Sequence, residues 1–87
     1  MKISPGDIVL SIAGRDKGCY FAVKSVDGEF ALICDGKKRK TDNPKRKKVK
    51  HLKLGCGHSD YLANKLSNGE CVTNPELRRE IKPYAEL

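Results

Sequence analysis

The sequence predicts a small, mainly β domain: five short strands closing into a barrel, followed by a short helical tail. Three observations predict it. Apolar and β-branched runs of strand length follow one another over about fifty residues. Two Asp-Gly pairs, Asp27-Gly28 and Asp35-Gly36, fall between such runs and mark hairpins. The strands are short and the turns tight, and closing the sheet removes exposed edges.

Pro5-Gly6 opens with a turn. Ile8, Leu10 and Ile12 then alternate with Val9, Ser11 and Ala13, which is a strand pattern. Gly14-Arg15-Asp16-Lys17-Gly18 is a polar loop framed by glycines able to take φ > 0. Tyr20 to Val26 is the second strand, and its imperfect alternation predicts a bulge or bend. Phe30 to Cys34 is the third. A short fourth strand is expected from near Lys37, broken by Thr41-Asp42-Asn43-Pro44, so that strands two, three and four form an antiparallel meander. Lys48 to Leu54 reads as a fifth strand, with apolar residues sparse enough for an edge.

The character changes at Gly55-Cys56-Gly57, so the barrel is placed at residues 1–54 and the helical tail, packed on or beside it, at residues 55–87. Ser59 caps a predicted helix from Asp60 to Leu66, ended by Asn68-Gly69. Thr73 and Glu76 have capping-box spacing, and Pro75 fits a first turn. Leu77 and Ile81 give this second helix one apolar stripe, and Pro83 is expected to end it.

Length and composition exclude several classes of function. A chain of 87 residues is one domain with a modest core and no room for a deep substrate cleft beside it. No apolar run approaches the roughly 18 residues needed to cross a bilayer, and the first residues have no apolar signal core. The expectation is a cytoplasmic protein with reduced cysteines, monomeric when free and without membrane contact.

The net charge of +7 is unevenly placed. Residues 1–36 carry four basic and five acidic side chains, and residues 54–87 again four and five. Residues 37–53 carry ten Lys or Arg against one acid, Asp42. Lysines that serve only solubility are dispersed, whereas a segment that neutralises a polyanion concentrates them. Lys37-Lys38-Arg39-Lys40 and Lys45-Arg46-Lys47-Lys48 are two clusters separated by a turn. Folding them together is unfavourable alone and favourable when phosphates lie alongside, since each contact releases condensed counterions. Such contacts grip a backbone and carry little sequence information. The Gly14–Gly18 loop is a second anchor, through Arg15 and Lys17, with Asp16 opposing. Of the five aromatics, Phe21 and Phe30 read as core, which leaves Tyr20, Tyr61 and Tyr84 as stacking candidates. That scarcity favours recognition of folded RNA over single-stranded bases.

Gly6-Asp7-Ile8-Val9, then Gly14-Arg15-Asp16-Lys17-Gly18 and an apolar strand, resembles a KOW motif, the first hairpin of an SH3-like barrel in ribosomal and transcription-elongation proteins. The strand ending at Val26-Asp27, the run Phe30 to Cys34 and the basic stretch leading to His51-Leu52 extend the likeness. Over about residues 4–54 the chain resembles the archaeal and eukaryotic large-subunit ribosomal protein family fourteen-e and small bacterial KOW-domain RNA-binding proteins. The segment from Thr73 to Ile81 is loosely similar to that family's C-terminal helix. Many KOW motifs carry another glycine where Cys19-Tyr20-Phe21 stand here, which fits the ribosomal subgroup better than an elongation-type module. The resemblance implies an SH3-like fold, ribosomal RNA as partner, ribosomal proteins as neighbours in translation, and no catalysis. The candidate RNA-binding residues are Arg15, Lys17, Lys37, Lys38, Arg39, Lys40, Lys45, Arg46, Lys47, Lys48, Lys50 and His51. The alternative is a protein-interaction or elongation-type KOW module, which requires an exposed apolar patch.

Other chemistry has little support. Cys19, Cys34, Cys56 and Cys71 form no Cys-x-x-Cys pair, and Cys56-Gly57-His58 with Cys71 is a poor zinc pattern. A Cys56/His58 nucleophile has nothing to orient it. No catalytic residue, metal or cofactor is expected.

Overall fold

The structure, a computed structural model, describes residues 2–85; Met1 and residues 86 and 87, at the ends of the two expected segments, lie outside the described residues. Five strands, β1 (Asp7–Ser11), β2 (Tyr20–Asp27), β3 (Phe30–Cys34), β4 (Lys45–Lys48) and β5 (Leu52–His58), form one antiparallel sheet in the order β4-β3-β2-β1-β5. A single 3-10 turn, Val49–His51, links β4 to β5. Two helices follow, α1 (Asp60–Ser67) and α2 (Asn74–Ala85).

The local signals work where the interactions that decide them are local. The hairpin at Gly28-Glu29 joins Asp27 and Phe30 as opposed residues, and only Gly28 has positive φ (59°), the pattern of a Gly-first two-residue loop. The predicted irregularity of β2 is a register shift between Val23 and Ser25. Ser59 caps α1 by accepting from the Leu62 N–H at 3.1 Å. The capping box of α2 is closed both ways: Thr73 N–H donates to Glu76 Oε1 (2.9 Å) and Glu76 N–H to Thr73 Oγ1 (3.3 Å).

Four expectations are corrected. The sheet does not close into a barrel: β4 and β5, the two edges, are not paired. β4 has four residues and turns Lys45 and Lys47 inward opposite Ile33 and Ala31, so polar heads stand where a closed barrel would be apolar. The fourth strand does not start near Lys37. Asp35 Oδ1 accepts from the backbone N–H groups of Lys37 and Arg39 (both 2.9 Å), which curls residues 35–40 into a loop. The strand expected from Lys48 to Leu54 is split: Lys48 ends β4, and β5 starts at Leu52 and runs past residue 54 to His58. Pro83 does not end α2, which continues through Ala85; at the exposed end of a helix, the carbonyl that proline leaves without a donor can turn to water.

Both faces of the sheet are covered. On one side Val9, Phe21, Val23, Ala31, Ile33 and Leu52 form a core closed by Val49 and Leu54. On the other, Ile8, Ala22 and Cys34 meet Leu62 of α1, Val72, and Leu77 and Ile81 of α2. Ile8, Val9, Val23 and Ile33 are all fully buried. Each such side chain removed from water contributes about 1.5–3 kcal/mol before entropy is counted. The helices therefore complete the core.

Candidate nucleic-acid interface

Antiparallel pairing brings together, at one end of the sheet, the end of β1, the start of β2, the end of β3 and the start of β4. Residues 12–19 and residues 35–44, the two loops that carry basic candidates, both emerge there. Gly14 (φ 84°) and Gly18 (φ 90°) make the corners of the first loop, and the Gly18 N–H closes it on the Ser11 carbonyl at 2.8 Å.

Asp16 fixes this loop to β4. Its Oδ1 accepts from Lys47 Nζ (2.5 Å) and Ser11 Oγ (2.7 Å), and its Oδ2 from Lys45 Nζ (2.9 Å). Lys47 Nζ also donates to the Ala13 carbonyl at 2.7 Å. Desolvation works against the Asp16 charge, but the hydrogen bonds from Lys47, Lys45 and Ser11 outweigh it and hold the carboxyl well below the usual carboxylate range. Lys47 is 7% exposed and committed to this cluster.

The candidates therefore divide by role. Arg15, Lys17, Lys37, Lys38 and Lys40 are exposed at the loop end of the sheet and make no ion pair with a described residue. Arg39 is half-buried, and its carbonyl accepts from the Asp35 and Gly36 N–H groups at 2.9 and 3.0 Å. Lys45 and Lys47 belong to the Asp16 clamp. Arg46 and Lys48 project from the other face of β4 toward the far end, with the Arg46 guanidinium 3.6 Å from the Phe30 ring centre. Phe30 is thus half-exposed under a cation, where a core position was expected. Lys50 is exposed and His51 half-buried in the 3-10 turn, and the His51 carbonyl accepts from Ile12 N–H at 3.0 Å.

Of the tyrosines, Tyr20 and Tyr84 pack against the helix-side core. Tyr61 is exposed but occupied, with its hydroxyl on Glu76 and the Arg79 guanidinium 4.5 Å from its ring centre. No free stacking platform is left among them.

Two basic residues were missed. Arg78 and Lys82 of α2 line a cleft of about 610 Å³ together with Lys37 and Lys38. Their i, i+4 spacing is visible in the sequence, but segment charge sums hide it, because residues 54–87 are net acidic.

Two of the residues set aside as chemistry, His58 and Cys56, are separately engaged. His58 Nδ1 lies 2.7 Å from Asp7 Oδ1, and Cys56 Sγ donates to the Lys53 carbonyl at 3.4 Å. Among the described residues no three His, Cys, Asp or Glu side chains converge as a metal site. No described helix is long and apolar enough to cross a membrane. No protein-family model and no curated protein matches the sequence.

Proposed function

We propose that the protein binds structured RNA, with ribosomal RNA as the intended class, through the loop end of its sheet. The observation that carries this reading is the convergence there of Arg15, Lys17, Lys37, Lys38 and Lys40. Of the three acids in the same two loops, Asp16 is spent on an internal clamp, Asp35 accepts from backbone N–H groups of its own loop, and Asp42 is exposed. An array of exposed cations suits the phosphate backbone of a folded polyanion. RNA is preferred to DNA because of the KOW-like arrangement, which also supports an SH3-like description of the open sheet and a place beside ribosomal proteins in translation. The protein works by binding, without a catalytic step. The elongation-type or protein-docking alternative has less behind it: the large exposed apolar side chains Ile12, Val26 and Tyr61 sit on three separate parts of the fold.

The test is affinity for a structured ribosomal RNA fragment and for duplex DNA across about 50–300 mM salt. Wild type is expected to prefer the RNA, with a steep salt slope. Replacing Arg15, Lys17 and Lys40 with Gln together removes three side chains that hold nothing in the fold. It is expected to reduce that slope by about 3, or about 1 per lost phosphate contact. Unchanged affinity in this variant, or equal weak binding of both polymers by wild type, overturns the proposal.

A further inference from the structure

The cleft between the second basic loop and α2 is a built feature. Gly36 (φ 77°) lies against the Asn74 carbonyl so closely that any Cβ would collide with it. Arg78 Nη1 donates to the Gly36 carbonyl at 2.7 Å, and Asn74 Oδ1 accepts from Thr41 N–H at 2.8 Å. Lys24 Nζ reaches the Thr41 carbonyl from β2 at 2.6 Å. The loop is thus tied to α2 at its start and again near its end, so the two walls keep their separation.

The walls are cationic and the floor is not. Lys37 and Lys38 face Arg78 and Lys82 across the opening, over a floor that includes Tyr20 and Ile81. Lys37, Lys38 and Lys82 make no hydrogen bond through their ammonium groups to a described residue. Among the described residues the acid on the wall is Asp35, and one of its oxygens is already occupied by two backbone N–H groups of the loop. The volume falls within the roughly 300–1,000 Å³ typical of small-ligand sites. Gly18 also lines the cleft, which makes it continuous with the Gly14–Gly18 loop.

We infer that this cleft seats one nucleotide of the bound RNA, its phosphate between Lys37, Lys38 and Lys82 and its sugar and base edge against Tyr20 and Ile81. The inference rests on the RNA-binding reading and extends that surface from the sheet end onto α2. It gives the C-terminal helix a direct role in recognition besides its role in the core.

The test uses Lys38→Gln with Lys82→Gln, both exposed side chains that bond nothing described. The salt slope for the structured RNA fragment is expected to fall by about 1, the count for one phosphate. In amide NMR spectra, adenosine 5′-monophosphate is expected to shift Lys37, Lys38 and Ile81, adenosine without phosphate to shift them far less, and the double variant to abolish the response. If the variant binds RNA like wild type while the Arg15/Lys17/Lys40 variant is weakened, the cleft and Lys38 with it are no part of the footprint, and the inference fails while the RNA-binding reading stands on the remaining loop cations. If neither variant weakens binding, both readings fail. Mononucleotide shifts with unchanged RNA affinity would mark a free-nucleotide site and also overturn it.

Discussion

Asp16 carries an acid into the middle of a basic loop, and its surroundings explain why it is there. Three donors from two strands, β1 and β4, converge on it, and without it the buried Lys47 ammonium would keep only the Ala13 carbonyl. Asp16→Asn raises the net charge by one, so a simple charge argument makes it bind RNA more tightly. The clamp argues the reverse, because Arg15 and Lys17 depend on the loop's position. The variant is expected to lose about 2 kcal/mol of stability, the scale of a hydrogen-bonded charge left partly unpaired. It is also expected to bind the structured RNA more weakly; tighter binding would refute the positioning role. Because the folded carboxyl ionises more readily than the unfolded one, which titrates near about 3.9, its stabilisation is complete above that pH and is lost as pH falls toward the folded value. Urea unfolding of wild type should therefore weaken more steeply below about pH 4 than that of Asp16→Asn. The sequence names Asp16 but not its partners: Lys45 and Lys47 are distant in the chain and read there as phosphate contacts.

At the scale of elements, turns and caps settled by near neighbours are legible and those settled at a distance are not. Asp27-Gly28 makes the predicted hairpin because the two strands it joins begin at once. Asp35-Gly36 carries the same signal and makes a longer loop: the Asp35 carboxylate curls residues 35–40 from within, and Asn74 and Arg78 of α2 hold Thr41 and Gly36 from the opposite side. Nothing near Lys37 announces a helix arriving from residue 74. The cap of that helix is local and was legible from Thr73, Pro75 and Glu76. The Glu76 carboxyl is held well below its usual range, chiefly by Lys65 of α1, with Tyr61 and Thr73 adding to it, so the cap also ties the two helices. Thr73→Ala is expected to cost about 1 kcal/mol, read as a fall of about 4–8 °C in Tm. An unchanged Tm would mean that the capping box is not holding the helix start.

At the scale of the molecule, the β-rich class and the two helices follow from pattern, whereas closure does not, and the fourth strand of the meander forms at Lys45–Lys48 instead of near Lys37. Alternation in β1 shows which residues share a face but not that both faces are covered. Ile8 and Val9 are neighbours in sequence, and each belongs to a different half of the core. A fragment ending at His58 would expose Ile8, Ala22 and Cys34, the side that α1 and α2 cover. It is expected to lack the cooperative thermal transition of the full chain; a sharp transition in the fragment would show that the sheet stands alone. Charge is subject to the same limit, since sums along the chain locate residues 37–53 but cannot add Arg78 and Lys82, which join them only in space.

The unpaired side of β4 has one more consequence. A strand bonded on one side only offers its remaining backbone groups to any extended chain, including another copy of itself. Arg46 and Lys48, the exposed cations of β4, make that approach repulsive at low ionic strength. Concentrated salt, the usual means of stripping nucleic acid from a basic protein, screens the same repulsion. The conditions that release a polyanion from this molecule are therefore those in which its own copies are least protected from adding edge to edge.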